Sequence, residues 1–203
     1  GKALTSDVGG SRGCRPPHAF MMAVDLSSTH FELFDLPQAF GIDRAHLDDR
    51  YRELQRATHP DRFVNTGDQE RRLSMQLAAR VNEGYQVLKD PLLRGRYLLE
   101  LSGFTFSDEH HTTSDTAFLM EQMELREALG EVRSAADPFA ALTEIINRVA
   151  TAFDDLTAQL QQQLDADTID REAVAETLMK MQFFRRLDEE AQELEAALED
   201  EML

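Results

Sequence analysis

The chain has 203 residues, 42% of them apolar, which is enough for one large domain or two small ones, each with a buried core. Its 38 acidic residues against 21 basic ones give a formal charge of −17, which opposes wrapping around nucleic acid or lying on an anionic membrane surface. No run approaches the roughly eighteen apolar residues of a bilayer span, and the single cysteine, Cys14, excludes an internal disulfide framework or a cysteine-built zinc cage.

Residues 1–28 show no apolar period, and Gly9, Gly10, Gly13, Pro16 and Pro17 punctuate them. They are expected to be a disordered or appended leader, of which the first twenty or so residues precede a start at Met21 or Met22. A transit peptide is the alternative, because Lys2, Arg12 and Arg15 outnumber Asp7. From Phe31 onward the pattern is helical. Phe31, Leu33, Phe34 and Leu36 form a short apolar segment that Pro37 stops. Asp43 is a candidate N-cap for a helix whose apolar face runs Leu47, Tyr51, Leu54 and Thr58. On a helical wheel Arg52 and Arg56 point away from that face, and Arg50 flanks them. His59-Pro60-Asp61 ends the helix, since Pro60 has no backbone N–H to donate and restricts the residue before it. Arg62 lies beside this tripeptide.

Asp68 can cap a long helix with Leu73, Leu77, Val81, Tyr85 and Leu88 as its buried stripe. Asp90-Pro91 breaks that helix and starts another, carrying Leu92, Leu93, Tyr97, Leu98 and Leu101, which Ser102-Gly103 closes. Composition then changes. Of the charged residues, 14 acidic and 14 basic lie before residue 104, which leaves 24 acidic and 7 basic after it. Beyond Gly103 only Gly130 and Pro138 break the chain. This shift predicts two domains, with residues 104–114 as the linker.

Ser114 and Asp115 are candidate caps for the next helix, where Phe118, Leu125, Leu129 and Val132 share a core face. Leu119, Met120 and Met123 fall on a second face, mixed with Glu124, Glu127 and Glu131. Two readings stand for that face: burial by a second neighbour, or a docking surface of flexible apolar groups with an acidic rim. Asp137-Pro138 opens a helix with the seam Leu142, Ile146, Val149, Phe153, Leu156, Leu160 and Leu164. Asp165 to Asp170 is a turn. The last helix carries Val174, Leu178, Met181, Phe184, Leu187, Leu194 and Leu198, a seam that drifts around the helix. Phe183 falls outside its first half and is expected to be exposed unless a loop covers it. The fold class is therefore all-α, with a helical hairpin followed by a three-helix bundle.

A hairpin with His59-Pro60-Asp61 at its tip and arginines on the outer face of its first helix resembles a J-domain, the module that activates DnaK-type chaperone ATPases. The bland alternative is helix-ending turn chemistry. Further segments carry the resemblance over residues 29–203, to the HscB family of J-type co-chaperones of iron–sulfur cluster assembly. These are His30-Phe31-Glu32-Leu33-Phe34, His59-Pro60-Asp61-Arg62-Phe63, Asp90-Pro91-Leu92-Leu93-Arg94, and the stretch from His111-Thr112 and Asp115 to Glu127.

The resemblance implies a J-domain over residues 29–103, docking on the chaperone HscA through His59, Pro60 and Asp61, with Arg50, Arg52, Arg56 and Arg62 as a cationic strip. It also implies a bundle over residues 115–203 that binds the scaffold protein IscU through Leu119, Met120, Met123, Glu124, Glu127, Glu131 and Phe183. Met123 stands where the family often has Leu, a volume-conserving change. Eukaryotic relatives carry an amino-terminal zinc module that Cys14 alone cannot build, so the metal-free bacterial type is expected. The adjacent His110 and His111 lack spaced partners and are taken as linker residues.

No catalytic residue, cofactor or metal is expected, nor any nucleic-acid or membrane partner, and the location is expected to be cytoplasmic. One alternative is a general J-type co-chaperone for unfolded chains, against which stands the lack of a Gly/Phe-rich linker or a cysteine-rich repeat. An enzyme with a carboxylate metal site is another, against which stands the lack of Glu-x-x-His pairs. A purely structural acidic bundle is the last, and it leaves the arginine-flanked tripeptide unexplained.

Overall fold

The computed structural model describes residues 28–59, 61, 67–104 and 113–201. Most of the expected leader and linker, with Pro60, Arg62, His110 and His111, lies outside them. Among the described residues every regular element is helical. They are α1 (His30–Leu33), α2 (Arg44–Thr58), α3 (Asp68–Lys89), α4 (Pro91–Leu101), α5 (Thr116–Glu131), α6 (Pro138–Leu164) and α7 (Arg171–Asp200), with a 3-10 turn at Val132–Ser134. The chain divides into two compact units.

The first unit contains α1, most of α2 and α3 up to Tyr85. α1 starts in a capping box: the Thr29 N–H donates to Glu32 Oε2 at 2.7 Å, and the Glu32 N–H donates to Thr29 Oγ1 at 3.2 Å. It ends at Asp35, whose φ of 55° is one that a short polar side chain tolerates better than most. Leu47, Leu54 and Thr58 are buried as their spacing predicts, as are Leu77 and Val81 on α3. Tyr51 stacks on Tyr85 with ring centroids 3.9 Å apart, and the Tyr85 hydroxyl donates to Asp48 Oδ1 at 3.0 Å. Gly84 permits α1 to lie close to α3, because a Cβ there would come within 2.9 Å of His30 Nδ1 and 3.0 Å of the Phe34 ring. Asp68, expected as a cap, lies inside the first turn of α3, where its carboxylate pairs with Arg71 at 3.1 Å and favours the helix dipole.

The second unit takes in Leu36–Arg44 and everything from Gln86 onward, so the break in packing does not coincide with the break in charge at Gly103. All four of its helices start on aspartate caps, Asp90, Asp115, Asp137 and Asp170, whose side chains accept backbone N–H groups of the first turn. α6 and α7 form a long antiparallel pair with two separate apolar cores along it. In one, Phe118, Leu125 and Val132 meet Leu142, Ile145 and Val149 of α6 and Phe184, Leu187, Ala191 and Leu198 of α7. In the other, Leu92 and Leu99 of α4, with Phe40, meet Leu160 of α6 and Val174, Ala175, Leu178 and Met181 of α7.

This arrangement explains the drifting seam of α7: its first half faces α4 and its second half faces α5. Gly95 makes the α4 contact possible, since a Cβ there would lie 2.7 Å from Leu160 Cδ2 and 2.9 Å from Leu178 Cδ2. Ile145, outside the expected seam of α6, is buried, and Ile146 is only partly so.

Candidate functional site

Two surfaces carry the residues singled out by the sequence, one in each unit. On the first, burial of Leu47, Leu54 and Thr58 turns Arg52 and Arg56 to the exposed side of α2. The strip is less purely cationic than its residue types predict. Arg50 pairs with Glu53 at 3.0 Å and Arg52 with Asp49 at 2.6 Å, each one turn away on the same helix. An exposed pair such as Arg52–Asp49 contributes about 0–1 kcal/mol, so Arg52 can exchange into a contact with a partner at little cost.

α2 ends where the buried Thr58 hydroxyl donates back to the Leu54 carbonyl at 2.9 Å. His59 and Asp61 then stand in solvent, with side-chain exposures of 60% and 85%. The Asp61 backbone N–H donates to His59 Nδ1 at 3.3 Å, and the Asp61 carboxylate is 3.6 Å from the same nitrogen. The imidazole is thus engaged through Nδ1 within its own turn. Arg52, Arg56, His59, Ala78 and Asn82 line an open groove between α2 and α3. Pro60 and Arg62 lie outside the described residues.

The second surface is on α5 and α7. Phe118 and Leu125 turn into the core, which leaves Leu119 42%, Met120 58% and Met123 73% exposed. Glu124, Glu127 and Glu131 are exposed on the same helix, and Glu124 lies 3.9 Å from Arg148 of α6. Of the two readings of this face, burial by a second neighbour does not hold among the described residues. Phe183 differs from expectation. It is half-buried by side chains of α5 rather than by a loop: its ring meets Phe118 edge-on at 5.7 Å, and Arg126 lies 5.5 Å over it. Phe183 also packs against Phe184 at 5.3 Å, so it belongs to an aromatic cluster with Phe118 and Phe184 rather than standing as a free knob.

Residues 114–192 match a family model described as the HSCB C-terminal oligomerisation domain. A co-chaperone protein HscB homolog from Shewanella baltica is 46% identical over 172 residues, which is 84% of this chain and 99% of that one. The solved chaperone HscB from Vibrio cholerae superposes with a TM-score of 0.74 at 40% identity, over 84% of this chain and 99% of the other. Human co-chaperone HscB superposes with a TM-score of 0.77 at 34% identity, over 85% of each chain. The chain belongs to the HscB co-chaperone family.

The HscB family model starts one residue ahead of the Asp115 cap and ends on α7, so it spans both exposed Met residues and Phe183. Sequence reading of this HscB-family chain missed a polar cluster at the start of that match. Lys180 Nζ lies 2.7 Å from Asp115 Oδ2 and 3.2 Å from Glu176 Oε1, and 5.4 Å from the Phe118 ring centre. Thr113 Oγ1 donates to Glu176 at 2.8 Å and accepts the Asp115 N–H at 3.0 Å. The Lys180 hydrogen bond holds the Asp115 carboxyl below the usual carboxylate range, helped by the Phe118 N–H. Burial draws Lys180 down, but its bonds to Asp115 and Glu176 outweigh that and leave it raised. The only signal in the sequence is the four-residue spacing of Glu176 and Lys180, which says nothing about α5.

Proposed function

We infer that this HscB-family chain is an adaptor in iron–sulfur cluster assembly that binds the scaffold protein IscU on the α5–α7 surface and delivers it to the DnaK-type chaperone HscA. The hairpin docks on the ATP-bound chaperone through His59, Pro60 and Asp61 and speeds hydrolysis there. Arg50, Arg52, Arg56 and Arg62 steer that encounter with an acidic partner surface. The chain itself performs no bond chemistry: it supplies binding energy and proximity, in the cytoplasm.

The observation that carries this reading is the exposure of Leu119, Met120 and Met123 together on one helix, whereas the other exposed large apolar side chains of the second unit's described residues, Leu93 and Ile169, lie on separate elements. Such a patch, flexible at the two methionines and rimmed by Glu124, Glu127 and Glu131, suits a protein partner with apolar and basic groups. With both surfaces on one chain, the substrate reaches the chaperone at a raised effective concentration. The test is a titration with IscU, followed by HscA ATPase rates with and without IscU. Stimulation by the chain that rises further when IscU is added is the expected result. Failure to bind IscU, or stimulation indifferent to it, overturns the reading; suppression of aggregation of an unrelated denatured protein would favour a general co-chaperone instead.

A further inference from the structure

α5 displays the docking residues, and its core side chain Phe118 precedes two of them, Leu119 and Met120. What sets the rotation and height of this helix on α7 is therefore a question about affinity as well as stability. Asp115 does two things at once at the start of α5. Its Oδ1 caps the helix, accepting the Ala117 N–H at 3.1 Å and the Phe118 N–H at 3.2 Å. Its Oδ2 is held by Lys180 of α7 at 2.7 Å. The Lys180 side chain is 15% exposed, and Glu176, one turn back, holds the same ammonium at 3.2 Å. Phe183, one turn further along α7 from Lys180, meets the Phe118 ring edge-on. Successive turns of α7 thus hold the cap of α5 and its first core ring.

We propose that Lys180 is a positioning residue for partner docking: by clamping the Asp115 cap it sets the rotation of α5 on α7, and with it the presentation of Leu119 and Met120, in the arrangement the scaffold recognises. This rests on the reading of the α5–α7 surface as the scaffold site. The clamp acts before the partner arrives, so its contribution is a smaller ordering cost on binding.

Calorimetric titration of the full-length chain with IscU tests this, using Lys180→Met, Lys180→Arg, Asp115→Asn, the Lys180→Met/Asp115→Asn double variant and, as a control, Leu119→Ala/Met120→Ala. Asn keeps the cap while removing the charge that Lys180 grips. Lys180→Met and Asp115→Asn are each expected to weaken binding by about tenfold, and the double variant by well under the product of the two, because both remove the Lys180–Asp115 contact. Lys180→Arg, which keeps charge and donors, should restore most of the affinity. The methyl resonances of Met120 and Met123, observed without scaffold, should move in Lys180→Met, and thermal melting identifies any variant that has merely lost its fold.

Wild-type affinity in folded Lys180→Met and Asp115→Asn, alongside lost binding in the control, overturns the clamp and leaves the docking surface standing. Losses that simply add in the double variant also overturn it. Normal binding by the control removes the docking surface, and the proposal with it.

Discussion

Around His59 the exposed groups are an imidazole, a carboxylate and guanidinium groups; on α5 they are Leu119, Met120 and Met123. The hairpin offers directional hydrogen bonds from short, turn-held side chains, with nearby charges already half-satisfied by Asp49 and Glu53. The α5 face offers area and adaptability, and its charges are confined to a carboxylate rim. A contact of the first kind is selective and easily reversed, as the proposed repeated docking on an ATP-driven chaperone would require. One of the second kind holds a cargo whose surface need not be matched atom by atom.

The largest effect expected from this contrast is at the hairpin. His59→Gln removes the imidazole and should abolish stimulation of HscA ATPase while leaving IscU titrations unchanged; equal loss of both would erase the distinction between the surfaces. Next, Leu119→Ala with Met120→Ala and Phe183→Ala should weaken IscU binding by about a hundredfold. ATPase stimulation without IscU should persist in that variant, and normal scaffold affinity would refute the docking face. Third, Gly95→Ala forces a methyl against Leu160 and Leu178 and should destabilise the second unit by about 1–3 kcal/mol in urea melts. An unchanged midpoint would mean that α4 shifts freely, and that only α6 with α7 sets the second unit's rigidity.

The smallest effect belongs to the first unit. Burial holds His30 below the ordinary histidine value of 6.5; Glu83 opposes the shift and Arg80 adds to it. The unfolded chain therefore takes up a proton first as pH falls. Stability should be full above about pH 6.5 and decline below it, until the folded state protonates too. Urea midpoints at pH 7.5 and 5.5 measure this, and a decline of the same size in His30→Leu would assign it to other groups.

Much of this was legible because it is local. Asp-Pro pairs at 90–91 and 137–138 announce helix starts through chemistry within one turn, and the structure places both caps there. The period placed Leu119, Met120 and Met123 off the core face filled by Phe118 and Leu125, but left open whether a second neighbour covers them; the structure shows them exposed. What escaped depends on which helices meet. A wheel for α7 shows a seam that wanders, but not that α4 takes one half and α5 the other. Phe183 was expected in the open because no residue near it in sequence reveals that Phe118 and Arg126 reach across from α5. The Lys180–Asp115 contact escaped for the same reason: the two residues are far apart in the chain.

The glycine at position 95 also bears on the order in which the second unit assembles. α6 and α7 are joined by the short turn at 165–170, so their pairing closes a small loop, whereas seating α4 on Leu160 and Leu178 closes a long one and pays its entropy before any contact rewards it. The α6–α7 hairpin is then the natural nucleus, and α4 arrives late. A methyl at Gly95 should accordingly quicken unfolding while scarcely slowing folding, the kinetic mark of a contact made after the barrier.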